Sequence, residues 1–155
     1  MVFLKDCGFY EPRHVGLATA PRPEGPWAPL RDPLLGPSPG DPDRLLGAGA
    51  LRTLPDPDAG VIWGFNNGIT RDSEGRSRST IRLLRSPDGR RWEAAGDAPV
   101  VAPGDLPWKR ALVYALDVRR LPDGETLYLY FNARDGWARG RERIGLTVGR
   151  PVRSS

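Results

Sequence analysis

A chain of 155 residues carrying 19 Gly and 17 Pro has the length of one domain and the composition of short strands joined by turns. No run of 18 apolar residues exists, which excludes a helical membrane span, and one Cys with one His leaves no internal disulfide and little basis for a zinc site. The formal net charge of +4 comes from 23 basic and 19 acidic residues, but every basic residue except Lys5 and Lys109 is Arg, and these are scattered among the acids rather than gathered into a nucleic-acid-binding block.

In chain order, Met1–Leu4 is too short an apolar run for a secretory leader, so a cytoplasmic location is expected; a longer N-terminal region would change that. Val15–Ala20 reads as a strand. Leu46–Leu54 is a second, stopped by Pro55–Gly60, where two prolines remove donors and the acids and glycine accept tight geometry. Val61–Asn66 is almost continuously apolar, the pattern of a strand covered on both faces. The run Asn67–Arg78, with Ile69 as its lone apolar residue, predicts a polar loop. Strands at Thr80–Ser86 and Trp92–Ala94 follow, separated by the Pro87-Asp88-Gly89 turn. The same plan returns with Ala111–Arg120, the Leu121–Gly124 turn, Thr126–Asn132, a polar loop and Ile144–Val148, before a frayed end at Ser154-Ser155. No helical periodicity is sustained, so the predicted class is all-β.

These elements recur. Val15–Ala20 returns as Ile81–Ser86 after 66 residues, Trp27 as Trp92 after 65, Leu34-Leu35 as Val100-Val101 after 66, and Val61–Asn66 as Leu127–Asn132 after 66. A third copy of the first landmark, Ile144–Gly149, begins 63 residues after the second. Four-strand units repeated at this period predict antiparallel blades of a β-propeller, whereas sandwiches do not repeat a sequence unit. The expected organisation is one partial propeller domain over residues 1–155, about two and a half blades, with segments near 1–31, 44–95 and 111–150.

Ser86-Pro87-Asp88-Gly89-Arg90-Arg91-Trp92 resembles the strand-turn-strand of the five-bladed propellers of the glycosidase superfamily, which includes glycoside hydrolase families 43, 32, 62, 68 and 130. Ala20–Trp27 resembles the Gly-Pro-Trp turn frequent in family 43, and Val15, Ile81 and Ile144 open a strand similar to Ile-Gly-Leu-Ala-x-Ser. The turn is one residue shorter than the sialidase Asp box, so six-bladed sialidases fit less well. The resemblance implies that Trp92 plugs the space between blades and that Val2–Gly8 ends the second strand of a blade that begins before the chain does.

Relatives use carboxylates around a central funnel, one as base or nucleophile and one as general acid. Where family 43 carries its base, the matching positions hold Leu51 and Ala115. Asp117 follows two residues after Ala115 with the same strand parity, and is either a funnel-facing catalytic acid or a carboxylate bonded to nearby backbone. The loops at one mouth hold Asn66, Asn67, Arg71 and Asp72, then Asn132, Arg134, Asp135 and Trp137, while Asp41, Asp43, Trp108, Arg110 and Tyr114 enter from the segments before each blade. Aromatic planes with amides, carboxylates and guanidiniums suit a sugar; the repeat-equivalent Asn66 and Asn132 serve equally as strand terminators through Asx turns. The expected function is a glycoside hydrolase-like protein acting on or binding carbohydrate, with weak or no hydrolase activity. The alternative is a non-catalytic carbohydrate-binding scaffold assembled from several copies. No metal, cofactor, nucleic acid or membrane is expected, and homo-oligomerisation would complete the blade packing.

Overall fold

The computed structural model describes residues 12–104, 106–137 and 139–150. The strand end expected at Val2–Gly8 and the frayed terminus at Ser154-Ser155 lie outside the described residues. The described chain is all-β, three antiparallel sheets with one 3-10 turn at Pro107–Lys109. The first sheet pairs β1 (Ala18–Thr19) with β2 (Ala28–Pro29). The second runs in sequence order through β3 (Gly47–Asp56), β4 (Val61–Arg71), β5 (Ser77–Ser86) and β6 (Glu93–Ala94). The third contains β7 (Leu112–Arg120), β8 (Leu127–Arg134) and β9 (Glu142–Gly149).

Turn chemistry sets the strand ends. Gly89 and Gly124 adopt φ of 72° and 74°, a conformation without cost only for glycine. In the first of these turns the Asp88 carboxylate accepts the backbone N–H groups of Arg90 and Arg91, each at 2.9 Å; in the second Asp123 accepts those of Glu125 and Thr126. Both acids are thereby held ionised below the ordinary carboxylate range, Asp88 by those backbone donors and Asp123 by the Thr126 hydroxyl and N–H.

The loop expected over Asn67–Arg78 is mostly strand. β4 continues to Arg71 and β5 starts at Ser77, so only Asp72–Arg76 turns. Some of its polar side chains satisfy backbone groups inside the fold, while Arg71, Ser73 and Glu74 stay exposed. Asn67 donates to Thr80 O at 3.2 Å and to Val113 O at 3.1 Å, and the Ser79 hydroxyl donates to Val113 O at 2.6 Å. The two bonds to Val113 O tie the second sheet to the first strand of the third.

The repeat is visible in the backbone. Leu34 N–H donates to Val15 O at 2.7 Å, and Val100 N–H to Ile81 O at 2.7 Å; Leu30 N–H reaches Leu17 O as Ala95 N–H reaches Leu83 O. The strand register corrects one of the sequence equivalences. The second-sheet hairpin closes at Asp56–Val61 and the third-sheet hairpin at Leu121–Thr126, so β3–β4 map onto β7–β8 with an offset of 65 rather than 66. Asn132 therefore corresponds to Asn67 and not Asn66, and Tyr130 corresponds to Phe65. A one-residue slip moves every side chain to the opposite face, so this difference decides which surface packs where.

With that register, both faces of the second sheet are covered. Leu84, Ala48, Leu51 and Trp92 meet Val15, Leu34 and Leu35 of the first segment. Phe65, Ile81 and Leu83 meet Val113, Leu116, Val118, Leu129 and Phe131 of the third sheet. Trp92 lies over Gly64, where a Cβ would collide with its ring, and its indole N–H donates to Gly89 O at 3.1 Å. Trp27, its repeat counterpart, is 60% exposed.

Candidate functional site

The antiparallel order brings one set of connections to one end of the second and third sheets: the segments leading into β3 and β7, the β4–β5 turn and the β8–β9 loop. At this rim Trp137 reaches from the β8–β9 loop to the second sheet, its indole N–H donating to Ser77 O at 2.8 Å. The Arg76 guanidinium sits 4.0 Å from its ring centre and that of Arg78 5.8 Å away, a cation–π arrangement. Arg78 donates to Arg110 O at 3.2 Å, and Arg110 donates to Asp135 O at 3.3 Å. Asp135 closes its loop by accepting Arg141 N–H at 2.7 Å and pairing with Arg143 at 2.9 Å; the Arg143 bond is the main reason its carboxyl stays below the ordinary range. Arg71 donates within its turn to Gly75 O at 2.7 Å.

A second group adjoins this rim on the outer face of the third sheet. Tyr114 and Asn132 are cross-strand partners, and the Asn132 amide donates to Glu142. Burial, followed by a bond to Glu142 and the charge on that carboxylate, pushes the Tyr114 phenol up to about 12. Arg134 donates to Gly140 O at 3.3 Å. Glu142 was not among the residues singled out by sequence; its signal is its position 63 residues after Ser79, at the opening of the matching strand.

Elsewhere the expected residues separate. Asn66 is 1% exposed and its amide donates to Ala50 O at 3.1 Å; both it and Asn67 lie within β4 rather than ending it. Trp108 stacks on Phe131 at 6.0 Å between ring centres and 19° between planes, packing against the core. Asp117 lies midway along β7 opposite Tyr130, roughly 16 Å from the rim at the rise of an extended strand. It pairs with Arg119 at 2.8 Å and Arg52 at 3.6 Å.

Asp41 and Asp43, in the segment before β3, meet around buried Arg82. Arg82 Nη1 pairs with Asp43 and lies 3.7 Å from Asp41, while Nη2 donates to Gly96 O at 2.8 Å. Burial raises the Asp41 carboxyl, but bonds from Arg44 and the Asp43 N–H, with the charges of Arg44 and Arg82, outweigh it and leave the group below its ordinary value. No group of three or more His, Cys, Asp or Glu residues able to hold a metal occurs among the described residues.

No protein-family model matches the chain, and no curated protein matches it. Two solved structures align over most of it. One, a BT0996–RGII complex, gives a TM-score of 0.64 at 18% identity over 88% of this chain and 41% of that one. Another, described as "Glycoside hydrolase", gives 0.58 at 17% identity over 90% of this chain and 36% of that one. The likeness is one of fold. The chain spans about two-fifths of the length of these neighbours.

A general acid for glycoside cleavage needs a carboxyl pushed up toward neutrality beside a second that stays ionised. Here Asp41, Asp72, Asp88, Asp123 and Asp135 are all displaced downward. What the rim offers is a set of hydrogen-bond donors and acceptors: guanidiniums, amide, phenol and ionised carboxylates.

Proposed function

We propose that the chain is part of a five-bladed propeller of the glycosidase superfamily, a single partial domain over residues 1–155 that binds carbohydrate at the rim and has weak or no hydrolase activity of its own. The observation that carries this is the rim, where Arg110, Asp135 and Trp137 converge with Arg71 nearby and with Tyr114, Asn132 and Arg134 alongside, while Asp41, Asp72 and Asp135 are tuned downward. The likeness to a protein described as a glycoside hydrolase supports the carbohydrate class. Asp117 is the catalytic candidate in this reading; Asn66, Asn67 and Trp108 shape the blades beneath the contact surface.

Aryl arabinosides, xylosides, fructosides and mannosides incubated with the purified chain test the catalytic part. Release near the buffer blank is expected. Strong turnover abolished by Asp117→Asn with the fold intact would replace this reading with an enzyme that uses Asp117 as acid or base.

The second reading, a non-catalytic scaffold assembled from several copies, draws support from the outer face of the third sheet, where Ile144 is 75% exposed. Both readings bind carbohydrate; they differ in whether assembly is needed.

A further inference from the structure

We propose that the outer face of the third sheet is a head-to-tail junction that receives the first sheet of a second copy of this chain; this rests on the multi-copy reading above. The repeat itself points to this face. In the second sheet, Phe65, Asn67, Ile81 and Leu83 share the face that the next sheet covers, and Phe65 and Ile81 are 6% and 0% exposed. The corresponding residues of the third sheet are Tyr130, Asn132, Ile144 and Leu146. Ile144, Leu146 and Tyr130 are 75%, 47% and 39% exposed, with Val148 beside them at 57%. Their sequence is that of a packing face, and a contiguous apolar strip of this kind marks an interaction surface.

The internal junction also has a polar part. Asn67 and Ser79 hold the incoming strand of the third sheet through the Val113 backbone, with Val113 N–H donating to Ser79 Oγ at 3.3 Å. Their counterparts, Asn132 and Glu142, stand at the same place on the outer face and bond each other.

The complementary surface is on the other end of the same chain. Within the chain, Trp92 of the second sheet packs toward Val15, Leu34 and Leu35 of the first segment. Trp27 is the counterpart of Trp92 and is exposed, and the same segment carries an open groove of about 580 Å³ whose lining includes His14, Leu17, Ala18, Pro29, Arg31 and Asp32. Val15, Ile81 and Ile144 are successive copies of one position. Repeating the internal junction once more places Trp27 and Ala18 of the second copy on Ile144 and Leu146. The contact is heterologous, so each copy keeps one free end unless a ring closes.

The test is mass by light scattering across a wide concentration range, with circular dichroism on every sample. The wild type is expected to run heavier than the 17.0 kDa single chain. Ile144→Asp and Trp27→Asp, each keeping a strand spectrum and a cooperative melt, are expected at single-chain mass. Mixed in equal amounts they are expected to restore a two-chain species, because each retains the end the other lacks. If Ile144→Asp fails to fold, Val148→Asp takes its place. A wild type that stays at single-chain mass, variants that associate like wild type, or a mixture that stays monomeric would overturn the junction. A failed junction with glycan binding intact removes only this interface; loss of glycan binding in an associated wild type counts against the functional reading instead.

Discussion

Replacing Trp92 with Ala tests the packing between sheets at its most concentrated point. The ring covers Gly64, touches the cluster formed by Leu35, Ala48 and Leu84, and donates its N–H to Gly89 O at 3.1 Å. Truncating a fully buried tryptophan costs about 3–5 kcal/mol, and a neutral hydrogen bond contributes about 1 kcal/mol of net stability. Because Trp92 is only partly buried, the lower end applies, about 3 kcal/mol. At about 2–4 °C per kcal/mol for a domain of this size, the melting temperature should fall by roughly 6–12 °C. Thermal melts followed by circular dichroism, at matched concentration and assembly state, give the comparison. Glycan affinity, measured well below the transition, should be unchanged. An unchanged melt combined with lost glycan binding would refute the packing role and make Trp92 a ligand platform.

Asn67→Ala removes one buried bond between the second and third sheets, to Val113 O, and one within the second sheet, to Thr80 O, so a loss of about 1–3 kcal/mol is expected in denaturant unfolding. The Tyr114 phenol should ionise near pH 12 while an ordinary tyrosine does so near 10.0, which absorbance titration of wild type against Tyr114→Phe will show. Since its folded pKa lies above the unfolded one, its stabilising effect is complete below pH 10 and is lost as the pH rises toward 12. Arg110→Ala should leave the melt close to wild type, because the side chain is exposed and donates to a single carbonyl at 3.3 Å, yet weaken glycan binding in titration calorimetry.

The sheets were largely legible in the chain because their turns are chemically explicit: Pro87-Asp88-Gly89 and Pro122-Asp123-Gly124 end strands by carboxylate-to-backbone bonds that local sequence dictates. The length of β4 was not legible. Asn67 and Ser79 read as loop residues until the Val113 backbone, far along the chain, supplies their partners. The 66-residue match of Phe65-Asn66 with Phe131-Asn132 was a match of letters; hairpin register fixes 65, and that single residue decides whether Asn132 faces inward or outward. At the rim, Trp137, Arg110 and Asp135 were found because loop position alone places them there. Asn66 and Trp108 share those loops by sequence, but Asn66 is buried within β4 and Trp108 packs on Phe131 from the 3-10 turn. Glu142 escaped notice because its partners, Tyr114 and Asn132, belong to other strands.

Carbohydrate recognition at the rim is tested most directly by screening wild type against a glycan array and titrating the best ligand into wild type and Trp137→Ala. Saturable binding by the wild type is expected, with at least a tenfold loss, about 1.4 kcal/mol, in the variant with strand content retained. Absence of any glycan binding by folded wild type, or undiminished affinity in Trp137→Ala and Arg110→Ala alike, would contradict it.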